Sequence, residues 1–170
     1  MVITATERPA VPPRGRADRP TAERVWEVLR SVMDPEIPVL SVVDLGIVRY
    51  VRTDGGDLRV GITPTYSGCP ATEVIRRSIE EALAREELGD AIVETVLSPP
   101  WTSEWLSEEG RRKLEAFGIA APTARAASHI ACPHCGSRDV ERVSEFGSTP
   151  CKAHYRCSGC LEPFDVFKCI

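Results

Sequence analysis

Six of the seven cysteines fall between residues 132 and 169, and four of them form two C-x-x-C pairs, Cys132-Pro133-His134-Cys135 and Cys157-Ser158-Gly159-Cys160. A two-residue spacing lets both thiolates of a pair point at one ion, and two such knuckles complete a tetrahedral shell with sulfur about 2.3 Å from zinc. A segment this short has little core of its own, so a bound ion would supply its folding energy. The clustering predicts a zinc ribbon over residues 131–170, with strands over 139–144 and 154–156. Gly136 and Gly159 stand where the knuckle turns call for a positive φ. His134 and His154 could be ligands only by displacing a cysteine and are read as surface residues. Four cysteines leave no open coordination position, so Cys132, Cys135, Cys157 and Cys160 read as a structural zinc site; a rubredoxin-like iron centre would use the same ligands, which leaves a redox role open. Cys151 and Cys169 are left over. Either packs as a small apolar side chain near the quartet, or they pair with each other or with Cys69 as a thiol site, or they serve as transient iron ligands.

The composition changes ahead of this segment. Residues 1–20 contain Pro9, Pro12, Pro13 and Pro20 and four arginines against two acids, which reads as a disordered tail. No run of about eighteen apolar residues occurs, and Met1 to Pro20 has Pro and Arg where an export signal has an apolar core. The expectation is a cytoplasmic protein, off the membrane, with reduced thiols that favour a metal over disulfides. Hydrophobic residues make up 42% of the chain, enough for a globular core. Residues 21–118 carry eleven basic against eighteen acidic side chains, so the body lacks the basic footprint that nucleic acid needs.

Periodicity fills in the body. Val25, Val28, Leu29 and Val32 recur at helical spacing after a Thr21 cap, predicting a helix that stops at Asp34-Pro35. Ile47–Arg52 and Leu58–Thr63 alternate in polarity around Asp54-Gly55-Gly56-Asp57 and predict a hairpin. Ala71, Val74, Ile75, Ile79, Ala82 and Leu83 trace a second helix that stops near Gly89. Ala91–Leu97 reads as a third strand, and a last helix runs from a cap at Ser103 or Ser107 to Phe117, with Gly118 as its stop. The fold class is therefore α+β: a small mixed sheet with helices on one side, ordered α-β-β-α-β-α over residues 21–118, then a linker at 119–130 and the C-terminal zinc ribbon.

Cys69 precedes Pro70 at the start of the second helix, where the unpaired N–H groups and the helix dipole favour a thiolate. A buried, inert cysteine is common at such a place, and no histidine stands near as a general base. Asp34, Glu36 and Asp44 crowd one loop, as hard-metal ligands, as a partner surface or as turn caps. Neither a Ser-His-Asp set, nor a phosphate loop, nor an E-x-x-H pair occurs, so no catalytic residue is assigned.

Asp34-Pro35-Glu36-Ile37-Pro38, Val43-Asp44-Leu45-Gly46-Ile47-Val48 and Thr63-Pro64-Thr65-Tyr66-Ser67-Gly68-Cys69-Pro70 resemble the small domain of iron–sulfur assembly factors such as SufT. Ser98-Pro99-Pro100-Trp101-Thr102, with Glu145 to Lys152 and Glu162 to Cys169 in the ribbon, resembles the PaaD family, also called PaaJ. These are accessory subunits of the ring-epoxidising phenylacetyl-CoA monooxygenase. The resemblance implies a non-catalytic or maturation role in aerobic phenylacetate breakdown, with the oxygen chemistry in a di-iron subunit and flavin and a [2Fe–2S] cluster in a separate reductase. It implies that Cys69 handles iron or an iron–sulfur cluster, that Asp34 and Glu36 line the same face, and that the ribbon docks onto the monooxygenase or its reductase. A single exposed thiolate with carboxylate neighbours would hold iron loosely enough to surrender it, and a second subunit completing the coordination would make a homodimer. Two rival readings stand beside this one. A zinc-ribbon adaptor or nucleic-acid-associated protein is disfavoured by five acids and five bases in residues 131–170. A thiol oxidoreductase using a C-x-x-C pair predicts insulin reduction that chelation increases.

Overall fold

The computed structural model describes residues 21–54, 57–88, 91–122 and 130–168. The tail 1–20, the turn glycines Gly55 and Gly56, residues 123–129 of the expected linker, and Cys169 lie outside the described residues. The element order of the body is the expected one: α1 (Ala22–Leu29), β1 (Val48–Asp54), β2 (Asp57–Ile62), α2 (Ala71–Arg85), β3 (Ala91–Thr95) and α3 (Glu108–Ala116). Strands β1 and β2 form the antiparallel hairpin, and β3 returns through α2 to pair parallel with β2, giving the order β1-β2-β3. Among the described residues no helix is long and apolar enough to cross a membrane.

Local chemistry sets the boundaries. The Thr21 side chain accepts from the Arg24 amide at 3.2 Å and starts α1, as expected, and Ser107, rather than Ser103, caps α3 by accepting from Gly110 N at 2.9 Å. α1 is shorter than its periodicity predicts. It ends at Leu29, and Val32, though buried, belongs to the turn that follows, because the Asp34 and Val42 amides bond to Leu40 O and Val32 O and draw the chain into a loop. β3 likewise stops at Thr95, leaving Leu97 exposed, and Val74 of α2 points to solvent while Ile75, Ile79 and Leu83 face inward. Gly46 holds φ +67°, and a Cβ there would lie 2.2 Å from the Trp105 carbonyl oxygen, so only glycine lets this loop pass under the turn before α3.

The second sheet is richer than the two strands expected. β5 (Val140–Ser144) and β6 (Lys152–Cys157) form the ribbon hairpin, β7 (Pro163–Phe167) adds antiparallel to β6, and β4 (Ile119–Ala120) adds parallel to β7. Residues 119 and 120 were expected in a linker; they instead leave α3 through Gly118, at φ +87°, straight into the ribbon sheet.

The two sheets also share a core. Phe167, buried to 1% exposure, sets its ring 5.9 Å from that of Trp101, whose indole N–H donates to Leu45 O at 2.9 Å. Ile119, Cys151 and Phe167 belong to the same apolar cluster as Leu29, Val60, Ile79 and Leu83. One end of the ribbon is thus built into the body.

Candidate functional site

Two sulfur-bearing sites lie at opposite ends of β6. At its carboxyl end, the Sγ atoms of Cys132, Cys135, Cys157 and Cys160 all fall within 4.8 Å of one another. Cys132 and Cys160 are 3.7 Å apart and Cys135 and Cys157 are 3.6 Å apart. A tetrahedron of sulfurs about 2.3 Å from its centre has edges of about 3.8 Å, so the quartet can close around one metal ion with little movement. The two knuckles are matched turns: Gly136 N donates to Cys132 O at 2.8 Å, and Leu161 N donates to Cys157 O at 2.9 Å. Each needs a left-handed residue at its end. Gly136 supplies it at φ +75°, but in the second knuckle Leu161, at φ +67°, does so, not Gly159 as expected. Gly159 is small for a different reason: a Cβ there would come within 3.2 Å of Ser137. The Cys160 and Gly159 amides aim at the Cys157 sulfur and draw its pKa down to about 6 against the effect of burial, which favours the thiolate a metal requires. His134 is exposed, as expected; His154 is half-buried and its Nδ1 lies 3.1 Å from Asp165 Oδ1, so neither joins the quartet.

At the amino end of β6 the chain meets the second site. Thr63 N donates to Ile47 O at 2.8 Å, extending the hairpin to the Pro64–Pro70 turn, and Gly68, at φ +85°, turns Cys69 to the start of α2. Cys69 is half-buried at that helix start, as its place before Pro70 predicts, and the Thr72 amide bonds back to its carbonyl at 3.3 Å. Its side chain lines a small pocket with Asp34, Thr63, Thr65, Thr72 and Ile75, at the carboxyl end of the strand that feeds a parallel crossover. The volume of about 20 Å³ takes one water-sized group, so any larger cargo sits at the mouth.

Of the three clustered acids, the pocket takes Asp34. This residue is 7% exposed, and its Oδ1 accepts from Glu36 N at 2.8 Å and Ile37 N at 2.7 Å. Burial nonetheless outweighs those two amides and the nearby Lys152 charge and raises its pKa. Glu36 is also raised, by burial and then by the charge of Asp34. Burial thus favours the neutral form of both carboxyls, and the Lys152 charge opposes it without prevailing.

Asp44 separates from them. Its carboxylate accepts from the Ser41 amide and hydroxyl and from Lys113 Nζ, the last at 2.7 Å, tying the loop to α3. Burial pushes it up, but Lys113 and Ser41 prevail and hold it below the ordinary value. A carboxylate lowered on folding contributes stability that is fully present above its unfolded pKa of about 3.9 and is lost as pH falls through the lower folded value. Asp44→Asn should cost about 1–2 kcal/mol near neutrality, screened because Lys113 is partly exposed, and nothing at low pH. Denaturant titrations at neutral pH and at a pH below the folded value of Asp44 check this.

Sequence reasoning missed Tyr66, Lys152 and the position of Cys151. Cys151 packs into the body's core at 5% exposure, not beside the quartet, because the turn from β5 to β6 lies at the ribbon end opposite the knuckles. Lys152, at 4% exposure, is the one buried lysine or arginine among the described residues, and its Nζ lies 3.7 Å from Asp165 Oδ2. The Tyr66 hydroxyl is buried without a hydrogen-bond partner; the Cys69 thiol is close enough to be felt but outside hydrogen-bonding geometry. Burial, then negative charge at Cys69, Glu36 and Cys151, pushes its pKa up to about 12. The adjacency of Cys151 and Lys152 in one ribbon turn was the available signal, but nothing in a single sequence tells that this turn is buried against the body.

Both halves have counterparts among known proteins. The profile of the PaaD zinc beta ribbon domain matches residues 119–168, and that of iron–sulfur cluster assembly proteins matches residues 22–96. An Escherichia coli (strain K12) protein, provisionally named as one of the subunits of 1,2-phenylacetyl-CoA epoxidase, is 44% identical over 156 residues, spanning 89% of this chain and 94% of its own length. The chain belongs to the PaaD family. Its body is also 37% identical over 94 residues to the Fe-S protein maturation auxiliary factor YitW of Bacillus subtilis (strain 168), covering 54% of this chain and 91% of that one. The crystal structure of a domain of unknown function (DUF59) from Bacillus anthracis superposes with a TM-score of 0.51 at 28% identity, covering 55% of this chain and 90% of that chain. The PaaD-family chain is thus an assembly-factor-like body followed by a four-cysteine ribbon able to bind metal.

Proposed function

We propose that this PaaD-family chain is an accessory subunit of a phenylacetyl-CoA epoxidising monooxygenase and acts in maturing an iron or iron–sulfur centre of that enzyme or its reductase, in the cytoplasm. The observation that carries the reading is the division of labour between the two sulfur sites. A closed quartet at one end of β6 suits a structural zinc, held by Cys132, Cys135, Cys157 and Cys160 and needing no exchange. At the other end, a half-buried thiol beside a carboxylate at a pocket mouth suits a metal that is held and then passed on. Kinship with maturation factors over residues 22–96 supports the same role for Cys69, with Asp34 and Glu36 as its acidic neighbours. The ribbon keeps large apolar side chains at the surface, Val143, Phe146 and Leu161, as a docking module for the oxygenase components would.

Coexpression with the monooxygenase components tests the proposal. Cys69→Ser should leave one ribbon metal per chain and an unchanged fold, yet lower the iron and acid-labile sulfide recovered in the partner enzyme several-fold. Undiminished loading of the partner, with undiminished growth on phenylacetate, would reject the maturation role.

A further inference from the structure

The face of the β1-β2-β3 sheet turned away from the core carries more positive charge than the fold uses. Side chains alternate along each strand, and Val51, Val60 and Val93, paired across the sheet, point into the core. Their neighbours form two rows on the opposite face: Tyr50, Gly61 and Glu94, then Arg52, Arg59 and Ile92. Tyr50 lies across Gly61, where a Cβ would come within 2.4 Å of its ring, and donates to Glu94 Oε1 at 2.6 Å. Arg52 donates to the same oxygen at 3.3 Å. Arg59 is left over. Its Nη1 stands 3.6 Å from Glu94 Oε2, outside hydrogen-bonding reach, and its Nε is buried with no hydrogen-bond partner among the described residues. Arg49, on the same hairpin, shows the contrast, with its guanidinium stacked 3.3 Å above the Trp105 ring. Two arginines directly opposite on neighbouring strands repel, and one carboxylate cannot neutralise both. A buried guanidinium N–H without an acceptor adds to that cost. Ile92, 42% exposed, stands directly beside Arg59 and offers an apolar contact.

We propose that this face docks a partner protein through a carboxylate side chain seated between Arg52 and Arg59, with an apolar neighbour of that carboxylate against Ile92. The inference rests on the reading above, that the chain is a subunit of a larger oxygenase assembly, and extends it by naming the chemistry of one contact. Charge complementarity selects the occupant. Residues 21–118 carry eleven basic against eighteen acidic side chains, so the rest of the body repels a broadly acidic partner, and nucleic acid more so. What fits is one or two carboxylates on an otherwise neutral or basic surface, held by the planar fork of donors that arginine presents. Such a carboxylate would give the Arg59 donors their missing acceptor and relieve the repulsion across β1 and β2.

The test titrates the full-length, metal-loaded protein against the purified monooxygenase components and reads Kd at low and high salt. The variants are Arg59→Gln, Arg52→Gln and Ile92→Ser, with Cys69→Ser as a control. Each arginine variant should weaken association about tenfold or more, Ile92→Ser should act in the same direction by less, and the parent's own affinity should fall as salt rises. Cys69→Ser should bind like the parent, because its thiol belongs to the Asp34 pocket and not to this face. The Tm of Arg52→Gln should hold or rise, since one member of a like-charge pair is gone. If both arginine variants bind like the parent, or both unfold at markedly lower Tm, the arginines serve the sheet alone; the proposal then fails and the subunit reading survives. A parent that is dimeric by itself and monomeric as Arg59→Gln would assign the face to a second copy, and duplex DNA held by the parent and released by Arg59→Gln would assign it to nucleic acid. Either result overturns the proposal. If the parent binds none of the components, the subunit reading falls and this contact with it.

Discussion

Replacing Cys132 with serine should empty the quartet and unfold the ribbon in one step. Structural zinc contributes on the order of 10–16 kcal/mol in small fingers, as much as the 5–15 kcal/mol that a whole domain commonly has to spare. Ala120, Cys132, Ala153, Tyr155, Cys157, Phe164 and Val166 form a cluster too small to stand alone. Metal per chain should fall from one to near zero, and limited proteolysis should cut between residues 130 and 168. Because Phe167 then leaves Trp101, indole emission should shift as well, even though Trp101 lies in the other sheet's core. A soluble, protease-resistant variant without metal would contradict this account.

Phe167→Ala should cost about 3–5 kcal/mol, the range for deleting a buried phenylalanine, with a further share from its pairing with Trp101. For a chain of this size that lowers Tm by roughly 10 °C. Unlike the cysteine variant, it should keep its metal, since the quartet and its local turns lie at the far end of β6. Thermal unfolding followed by indole emission, with metal analysis of the same sample, separates the two cases. A drop of only a degree or two would mean that ribbon and body are merely tethered.

The contrast between these variants shows what a single sequence reveals and what it conceals. The quartet was legible because C-x-x-C spacing is a local property, and so were the hairpin and α2, whose apolar positions repeat at a fixed period. β4 and β7 were not. Two residues have no period, and Pro163-Phe164-Asp165-Val166-Phe167 alternates correctly but has meaning only once β6 lies beside it. Three neighbouring acids looked equivalent in sequence; tertiary contacts sent Asp44 to Lys113 and Asp34 to the Cys69 pocket. Of the readings open for Cys151, the one that packs it beside the quartet fails for the same reason. Sequence distance put it near the quartet, whereas the direction of β5 and β6 carries it away, by about 17 Å along a strand of six residues.

That strand has a further consequence for the life of the protein. β6 carries the four-cysteine cluster at one tip and runs from Cys151, packed in the body's core, at the other, so whatever orders or loosens the knuckles also reaches the packing beneath Trp101.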